Sequence, residues 1–214
     1  MQKTGDYRPR IKLCGLTRPC DIEAANELKP DYIGFVFAQK SRRYVSAQRA
    51  SELKKLLHPD ILAVGVFVDE SPDVIAGLLN SGIIEIAQLH GGENEAYIKK
   101  LRKLTDKPIW KAFRIDGFGD IAAAQESSAD LVLLDSGSGG MGKTFDWSLI
   151  QALERPYFLA GGMRIDNVKA AIEALNPYGV DVSSGIETDG GKDRKKMKEF
   201  VCSVRTVQGK DEIT

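Results

Sequence analysis

Two polar side chains that can exchange protons close two of the chain's apolar runs. Cys14 ends IKLC, where Gly15 follows at once, and Asp135 ends LVLLD. A thiol that faces a carboxyl across a cavity suits proton transfer, provided that the thiol ionises readily and the carboxyl keeps its proton near neutrality. Each residue also has a structural interpretation, because a Cys often packs as a small apolar side chain and an Asp often caps a helix or loop. The choice depends on whether the fold brings the two together.

Small residues in two late segments have the character of a phosphate site. LAGGM contains Gly161 and Gly162 and precedes a predicted helix, whereas VDVSSGIE contains Ser184 and Gly185 after an apolar run. Small residues leave backbone N–H groups accessible to an anion, and a helix N-terminus favours negative charge. One such turn could be purely structural, but two in succession predict a phosphorylated ligand.

GSGGMGKT, residues 137–144, matches the G-x-x-x-x-G-K-[ST] pattern of loops that bind nucleotide phosphates. In nucleotide-hydrolysing proteins this loop normally follows an early strand of an open sheet, whereas here it comes late in the chain. We interpret it as a mobile lid formed by Gly139, Gly140, Gly142 and Lys143, with Lys143 within reach of an anion. A nucleotide-hydrolysing protein is the alternative.

Arg43 and His90 are further candidates at the ends of apolar runs. Arg43, in QKSRRYVS, could hold a substrate carboxylate through two parallel hydrogen bonds, although a charge after a strand is often only solvated. Its neighbour Arg42 offers the same chemistry, and residue type alone leaves the choice open. His90, in AQLHGG, is expected to line the site.

The composition favours a cytoplasmic protein that binds neither nucleic acid nor a membrane. The 214 residues carry 30 Lys plus Arg and 30 Asp plus Glu, and this zero net charge argues against nucleic acid or an anionic membrane as partner. The polar start MQKTGDYRPR predicts no secretory signal, and no apolar run approaches the ~18 residues of a membrane span. Three cysteines without regular spacing fit a reducing compartment. One of them, Cys202 in the last helix, is expected to pack against the core. Two His and no CxxC or HExxH pair predict no metal site.

Short apolar runs alternate with segments of helical periodicity along the whole chain. The runs are mostly apolar on both faces, which is typical of parallel strands covered on each side, and they recur at the interval of βα units. The predicted strands span residues 11–14, 32–37, 62–68, 84–89, 109–113, 131–134, 157–160 and 180–182. We predict an α/β fold, a single-domain (β/α)8 TIM barrel over residues 10–206, with a polar N-terminal extension (1–9) and a polar C-terminal tail (207–214). An open doubly wound sheet is the alternative. In a barrel, the carboxyl ends of the strands would carry the chemistry.

Together these motifs resemble those of phosphoribosylanthranilate isomerase, an enzyme family of tryptophan biosynthesis. The ordered set KLCGLTR, GFVFAQKSRRYVS, VGVFVDE, QLHG, LLDSGSGGMGKTFDW, LAGGM and VDVSSGIE…GGKD covers nearly the whole chain, and KLCG, GKTFDW and DVSSG are the most specific. The resemblance implies that Cys14 is the general base and Asp135 the general acid. It assigns the substrate carboxylate to Arg43, although Arg42 stands where the family often has Pro.

The resemblance also implies the remaining site residues and the reaction. His90 and Asp181 would line the pocket, and the backbone around the four residues of the phosphate site would hold the ribose phosphate. The reaction is an Amadori rearrangement that converts N-(5-phosphoribosyl)anthranilate into 1-(2-carboxyphenylamino)-1-deoxyribulose 5-phosphate, an aldose–ketose isomerisation that needs no cofactor and no metal. The implied partner is this small-molecule substrate, with no nucleic acid and no membrane, bound by a monomer or homodimer.

Two other barrel proteins stay as alternatives. The histidine-pathway isomerase performs the same chemistry on a larger, two-phosphate substrate, but it would be expected to use two carboxylates and two phosphate cradles. A barrel that binds a sugar phosphate without catalysis would have no use for the acid–base pair of Cys14 and Asp135.

Overall fold

The computed structural model describes residues 8–135 and 149–209, and within them eight parallel strands close into a barrel. Each strand pairs with its neighbours in chain order, and β1 closes the ring by pairing with β8. The strands are β1 Arg10–Cys14, β2 Tyr32–Val36, β3 Leu62–Phe67, β4 Ile86–Leu89, β5 Ile109–Arg114, β6 Leu131–Asp135, β7 Tyr157–Ala160 and β8 Gly179–Val182. The predicted TIM barrel is confirmed, and the open-sheet alternative is wrong.

Helices and short turns connect the strands. The helices are α1 Pro19–Leu28, α2 Ala47–Leu56, α3 Pro72–Asn80, α4 Glu95–Leu101, α5 Phe118–Glu126, α6 Val168–Leu175 and α7 Arg194–Arg205. Helix α2 begins after the predicted N-cap Ser46, whose hydroxyl accepts from the Arg49 N–H at 3.1 Å. After β8 come a 3-10 turn, Ser184–Ile186, and an antiparallel ribbon of β9 Glu187–Thr188 and β10 Gly191–Lys192. Within residues 8–135 and 149–209, the helices are too short or too polar to cross a membrane.

The barrel wall separates two apolar cores. Leu13 and Phe35 belong to the outer core between strands and helices, whereas Trp110 and Phe158 stack at 5.1 Å in the inner core. Because successive side chains of a strand point to opposite faces, the residues on either side of Leu13 point into the barrel. Cys14 accordingly packs against the inner residues Val36 and Val66 at the upper end of the barrel.

Helix α7 corrects one prediction. Its buried face is formed by Met197, Val201 and Val204, as its periodicity predicts, but Cys202 is exposed. Position 202 lies off the stripe of residues separated by three and four positions, so the side chain is turned to solvent.

Candidate active site

A cavity of about 920 Å³ opens at the carboxyl ends of the strands. This volume is within the range of small-molecule sites. The predicted site residues that line it are Cys14, Arg43, His90, Asp135, Gly161, Gly162, Asp181, Ser184 and Gly185. The barrel therefore gathers residues from six of the eight βα units around one space. The predicted lid residues Gly139, Gly140, Gly142 and Lys143 lie outside the described residues, as does the nucleotide-loop pattern that contains them.

Two glycines shape the surroundings of Cys14. On β2, a Cβ at position 34 would lie 2.6 Å from the Cys14 sulfur, so Gly34 provides the space that the thiol occupies. Gly15 has a φ of 80°, and a Cβ there would lie 2.5 Å from the side chain of Arg43. The chain can therefore turn away directly after the thiol while Arg43 packs over the turn.

A buried ion pair lies below Cys14. Lys12 is two residues earlier on β1, on the same inner face, and its side chain is 0% exposed. Its Nζ donates to Asp181 Oδ1 at 3.0 Å across the β1–β8 ladder, where the two residues are direct partners in register. The charge of Lys12 also acts on the Cys14 thiol, which lies on the same face of β1. The base candidate thus rests on a charged pair in the barrel interior.

The charges around Cys14 compete with its burial. Burial raises the pKa of the Cys14 thiol above its usual range, and the Asp181 carboxylate adds to the rise. The ammonium groups of Lys12 and Lys192 lower this pKa, since positive charge favours the thiolate. Burial lowers the pKa of Lys12, but Asp181 and Cys14 together outweigh it and the pKa is raised. Lys12 therefore keeps its charge in the barrel interior.

Asp135 contacts a histidine, His90, that also lines the cavity. His90 Nε2 is 3.2 Å from Asp135 Oδ2, and the other ring nitrogen, Nδ1, is 2.9 Å from Gln88 Nε2. Gln88 and Asp135 thus hold the two ring nitrogens of His90. His90 thus contacts the acid candidate directly, a closer connection than lining the pocket implies.

Arg43 lines the cavity, whereas Arg42 is exposed to solvent. The Arg43 guanidinium binds Glu187 in a bidentate pair, with Nε–Oε1 at 2.6 Å and Nη2–Oε2 at 2.8 Å. Lys192 Nζ contacts the same Glu187 Oε1 at 2.6 Å. The pair uses one edge of the guanidinium, and the Nη1–Nη2 edge is the part that can accept a second carboxylate.

The two predicted phosphate loops lie side by side. Gly161 and Gly162 have φ values of 74° and 65°, the left-handed conformation that glycine adopts without strain. A Cβ at Gly185 would lie only 2.0 Å from the Met163 carbonyl, so the loop after β8 packs closely against the loop after β7. Small residues are therefore needed for two different reasons. After β7 the backbone conformation requires glycine, and after β8 the close contact with the neighbouring loop leaves no room for a side chain.

Sequence reasoning missed several residues that surround the site. They are Lys12, Gln88, Ser183, Glu187 and Lys192. Lys12 and Gln88 had a usable signal, because each polar side chain lies two positions before a site residue and therefore on the same face of its strand. Glu187 and Lys192 belong to the short ribbon after β8, and nothing in the pattern of the sequence indicates that it folds back onto Arg43. Residues 8–135 and 149–209 contain no group of three or more His, Cys, Asp and Glu arranged to hold a metal ion.

Comparisons with known proteins match nearly the whole chain. The sequence model described as N-(5'phosphoribosyl)anthranilate (PRA) isomerase matches residues 11–203. The N-(5'-phosphoribosyl)anthranilate isomerase of Endomicrobium trichonymphae is 43% identical over 203 residues, which cover 93% of this chain and 100% of that protein. The enzyme of the same name from Acetivibrio thermocellus is 43% identical over 212 residues, 93% of this chain and 97% of that protein.

Solved structures give the same result. The phosphoribosyl anthranilate isomerase from Thermotoga maritima superimposes with a TM-score of 0.83 at 36% identity, covering 92% of this chain and 99% of its own. A phosphoribosyl anthranilate isomerase in complex with reduced 1-(o-carboxyphenylamino)-1-deoxyribulose 5-phosphate superimposes with a TM-score of 0.81 at 34% identity, with the same coverage. The chain matches these proteins along nearly its whole length in sequence and in structure, and its barrel places Cys14 and Asp135 on one cavity. It therefore belongs to the N-(5'-phosphoribosyl)anthranilate isomerase family.

Proposed function

We propose that the cavity carries out the family's reaction, the Amadori rearrangement of N-(5-phosphoribosyl)anthranilate in tryptophan biosynthesis, with Cys14 as base and Asp135 as acid. The observation that carries the proposal is that both residues line one cavity together with the two loops of small residues after β7 and β8. A sugar phosphate anchored by those loops would lie between the thiol and the carboxyl group.

The reaction starts at the acid. Asp135 protonates the ring oxygen of the ribose, the ring opens, and the anthranilate nitrogen forms a protonated Schiff base with C1′. The contact between His90 Nε2 and Asp135 Oδ2 at 3.2 Å supports this role, because it helps to fix the orientation of the carboxyl group at the cavity wall.

The second step belongs to the base. The Cys14 thiolate removes the proton from C2′, the electron pair moves to the Schiff-base nitrogen, and the resulting enolamine tautomerises to the ketone. The raised pKa of the thiol makes its thiolate a stronger base than an ordinary cysteine thiolate, although less of it is present. The positive charge of the Schiff base favours the thiolate at the moment when the proton must leave.

Arg43 is assigned to the anthranilate carboxylate and the backbone around Gly161, Gly162, Ser184 and Gly185 to the ribose phosphate. The position of Arg43 on the cavity supports this choice over Arg42. Asp181 is assigned to the pocket wall, where its pairing with Lys12 leaves it about 10% exposed. The reaction uses no cofactor, takes place in the cytoplasm, and is carried out by a monomer or a homodimer, as one solved relative is described as dimeric.

The direct test is turnover of freshly prepared substrate by the purified chain, followed by the loss of substrate fluorescence. Cys14→Ser and Asp135→Asn should each lower kcat by about 10²- to 10⁴-fold while circular dichroism stays unchanged. Normal turnover in either folded variant would remove the role assigned to that residue. Binding of substrate without turnover by the wild-type chain would favour the non-catalytic sugar-phosphate protein.

A further inference from the structure

Lys12 is a buried charge that acid–base chemistry at Cys14 and Asp135 does not by itself require. We propose that Lys12 is a positioning residue that supplies the positive charge against which the Cys14 thiol ionises. The inference rests on the proposed function in that it concerns the base assigned there. It adds a residue of the barrel interior to the catalytic apparatus.

The geometry excludes an ordinary surface role for this lysine. Its side chain is completely buried, and a lysine is seldom enclosed in this way unless its charge has a partner. Asp181 is that partner, at 3.0 Å. Asp181 in turn lines the cavity, and the charge of Lys12 acts on the Cys14 thiol as well as on the carboxylate. One ammonium group therefore joins the base candidate to the pocket wall.

The strand itself explains why the contact is maintained. Lys12 and Cys14 are separated by one residue on β1, so both point into the barrel, while Leu13 between them is anchored in the outer core at 0% exposure. Asp181 is directly opposite Lys12 on β8. The ammonium group is thus fixed by a parallel ladder on one side and by the packing of the barrel wall on the other.

Other charges also face the sulfur and must be included in any account of its ionisation. Lys192 acts on it from the ribbon after β8, and Arg43 from the segment after β2. Glu187 binds both and carries one negative charge for the two cations, just as Asp181 carries one for Lys12. Of the two lysines, Lys12 lowers the pKa of the Cys14 thiol more, since it lies two residues away on the same face of the same strand.

The test measures ionisation of Cys14 in the absence of substrate. In a Cys20→Ser/Cys202→Ser background, Cys14 is the remaining thiol of the three in the chain. Its rate of alkylation by iodoacetamide, measured by mass spectrometry from about pH 6 to about pH 10, follows the thiolate fraction. Lys12→Met should slow alkylation at pH 7 by at least about tenfold, which corresponds to one pH unit in the profile.

Asp181→Asn distinguishes a direct effect of Lys12 from an indirect one. Lys12 could act only by neutralising Asp181, in which case Lys12→Met would have no effect once Asp181 is Asn. The proposal predicts that Lys12→Met slows alkylation in the Asp181→Asn background as well. This double variant is also free of an unpaired buried carboxylate, so it keeps the question open to measurement if Lys12→Met alone fails to fold.

Lys111→Met is the matched control. Lys111 forms a buried pair with Glu93 at 3.1 Å on the other side of the barrel, and its loss should leave the Cys14 profile unchanged. An unchanged profile in Lys12→Met, or slowing that disappears in the Asp181→Asn background, would overturn the proposal. Failure of the proposed function would show differently, as undiminished turnover in Cys14→Ser, because alkylation is measured without substrate.

Discussion

Two buried lysine–carboxylate pairs occupy opposite sides of the barrel and have similar geometry. Lys12 and Asp181 are 3.0 Å apart, and Lys111 and Glu93 are 3.1 Å apart. They differ in which face of the barrel wall they occupy. Lys12 points into the barrel below Cys14, whereas Lys111 lies between the inward-facing residues Trp110 and Ala112 of β5 and therefore points outward.

The outer pair has a structural role. Glu93 accepts from the backbone N–H groups of Asp69 and Gly91, each at 2.8 Å, and Lys111 donates to the Gly91 carbonyl at 2.7 Å. The pair thereby fixes the two loops that follow β3 and β4. Similar chemistry thus holds backbone on one face of the wall and, by our proposal, adjusts a catalytic thiol on the other. A buried ion pair by itself does not indicate which of these roles it has.

The largest effect is expected from breaking either pair. Lys111→Met should lower the free energy of unfolding by about 3–5 kcal/mol, because Glu93 would be left buried with an uncompensated charge. Urea unfolding followed by circular dichroism measures the loss. Lys111→Met/Glu93→Gln should recover part of it, since no charge is then left unpaired. Equal stability of Lys111→Met and the wild type would mean that water reaches Glu93 and that the comparison is wrong on the outer face.

The next largest effect is expected on turnover, from a variant that displaces the Cys14 sulfur without removing a charge. Gly34→Ala places a methyl group where the Cys14 thiol now lies, and a displacement of about 1 Å can lower kcat by about 10²-fold. Gly65→Ala on β3 is the matched control, because its Cβ would meet Ile84 at 2.5 Å instead. Both variants should lose stability through overpacking. Only Gly34→Ala should lose turnover of the folded enzyme, and an equal kcat loss in both would point to general damage.

Arg43→Ala tests the assignment of the substrate carboxylate to Arg43, and its effect should fall on substrate binding. Losing a bidentate charge-assisted contact of about 1.5–3 kcal/mol corresponds to a rise in KM of about 10- to 100-fold. Arg42→Ala should leave KM near the wild-type value, because that side chain is exposed. Steady-state kinetics of the two single variants decide the assignment. A rise in KM confined to Arg42→Ala would transfer the carboxylate to that residue.

The barrel could be predicted from the sequence because a parallel barrel repeats one pattern. Apolar runs, helical stripes and their regular spacing all report the same local rule, so the strand boundaries found in the structure differ from the predicted ones by at most two residues. The strand ends then gave the residues of the cavity. The packing role expected of Cys202 is wrong, because this residue lies off the buried stripe of Met197, Val201 and Val204 and is exposed.

The contacts between site residues could not be predicted in this way. The pairing of Lys12 with Asp181 joins the first strand to the last, and the pairing of Arg43 with Glu187 joins the segment after β2 to the ribbon after β8. Such contacts depend on closure of the barrel and on the path of a short ribbon, which no local periodicity encodes. Lys12 was available as a polar interruption of an apolar strand, and its position two residues before Cys14 was the signal that could have been used.

The smallest effect concerns the third ion pair, between Glu187 and its two cations. Burial raises the pKa of Glu187, but hydrogen bonds from Arg43 and Lys192 outweigh it, and the pKa lies below its ordinary value of 4.5. A carboxylate with a depressed pKa contributes stability that is complete above its unfolded-state pKa and is lost as the pH falls through its folded-state pKa. Wild-type stability should therefore fall more steeply below about pH 4.5 than that of Glu187→Gln.

Urea midpoints measured at several pH values on either side of that point give the two slopes. Asp166→Asn serves as the control, because the Arg164–Asp166 pair is exposed at both ends and surface pairs contribute little to stability. Its slope should match that of the wild type. If the slope of Glu187→Gln also matches that of the wild type, then folding does not stabilise the charged form of Glu187, and this carboxylate does not balance Arg43 and Lys192. These two cations would then present more positive charge to Cys14, and the share of its ionisation assigned to Lys12 would be smaller.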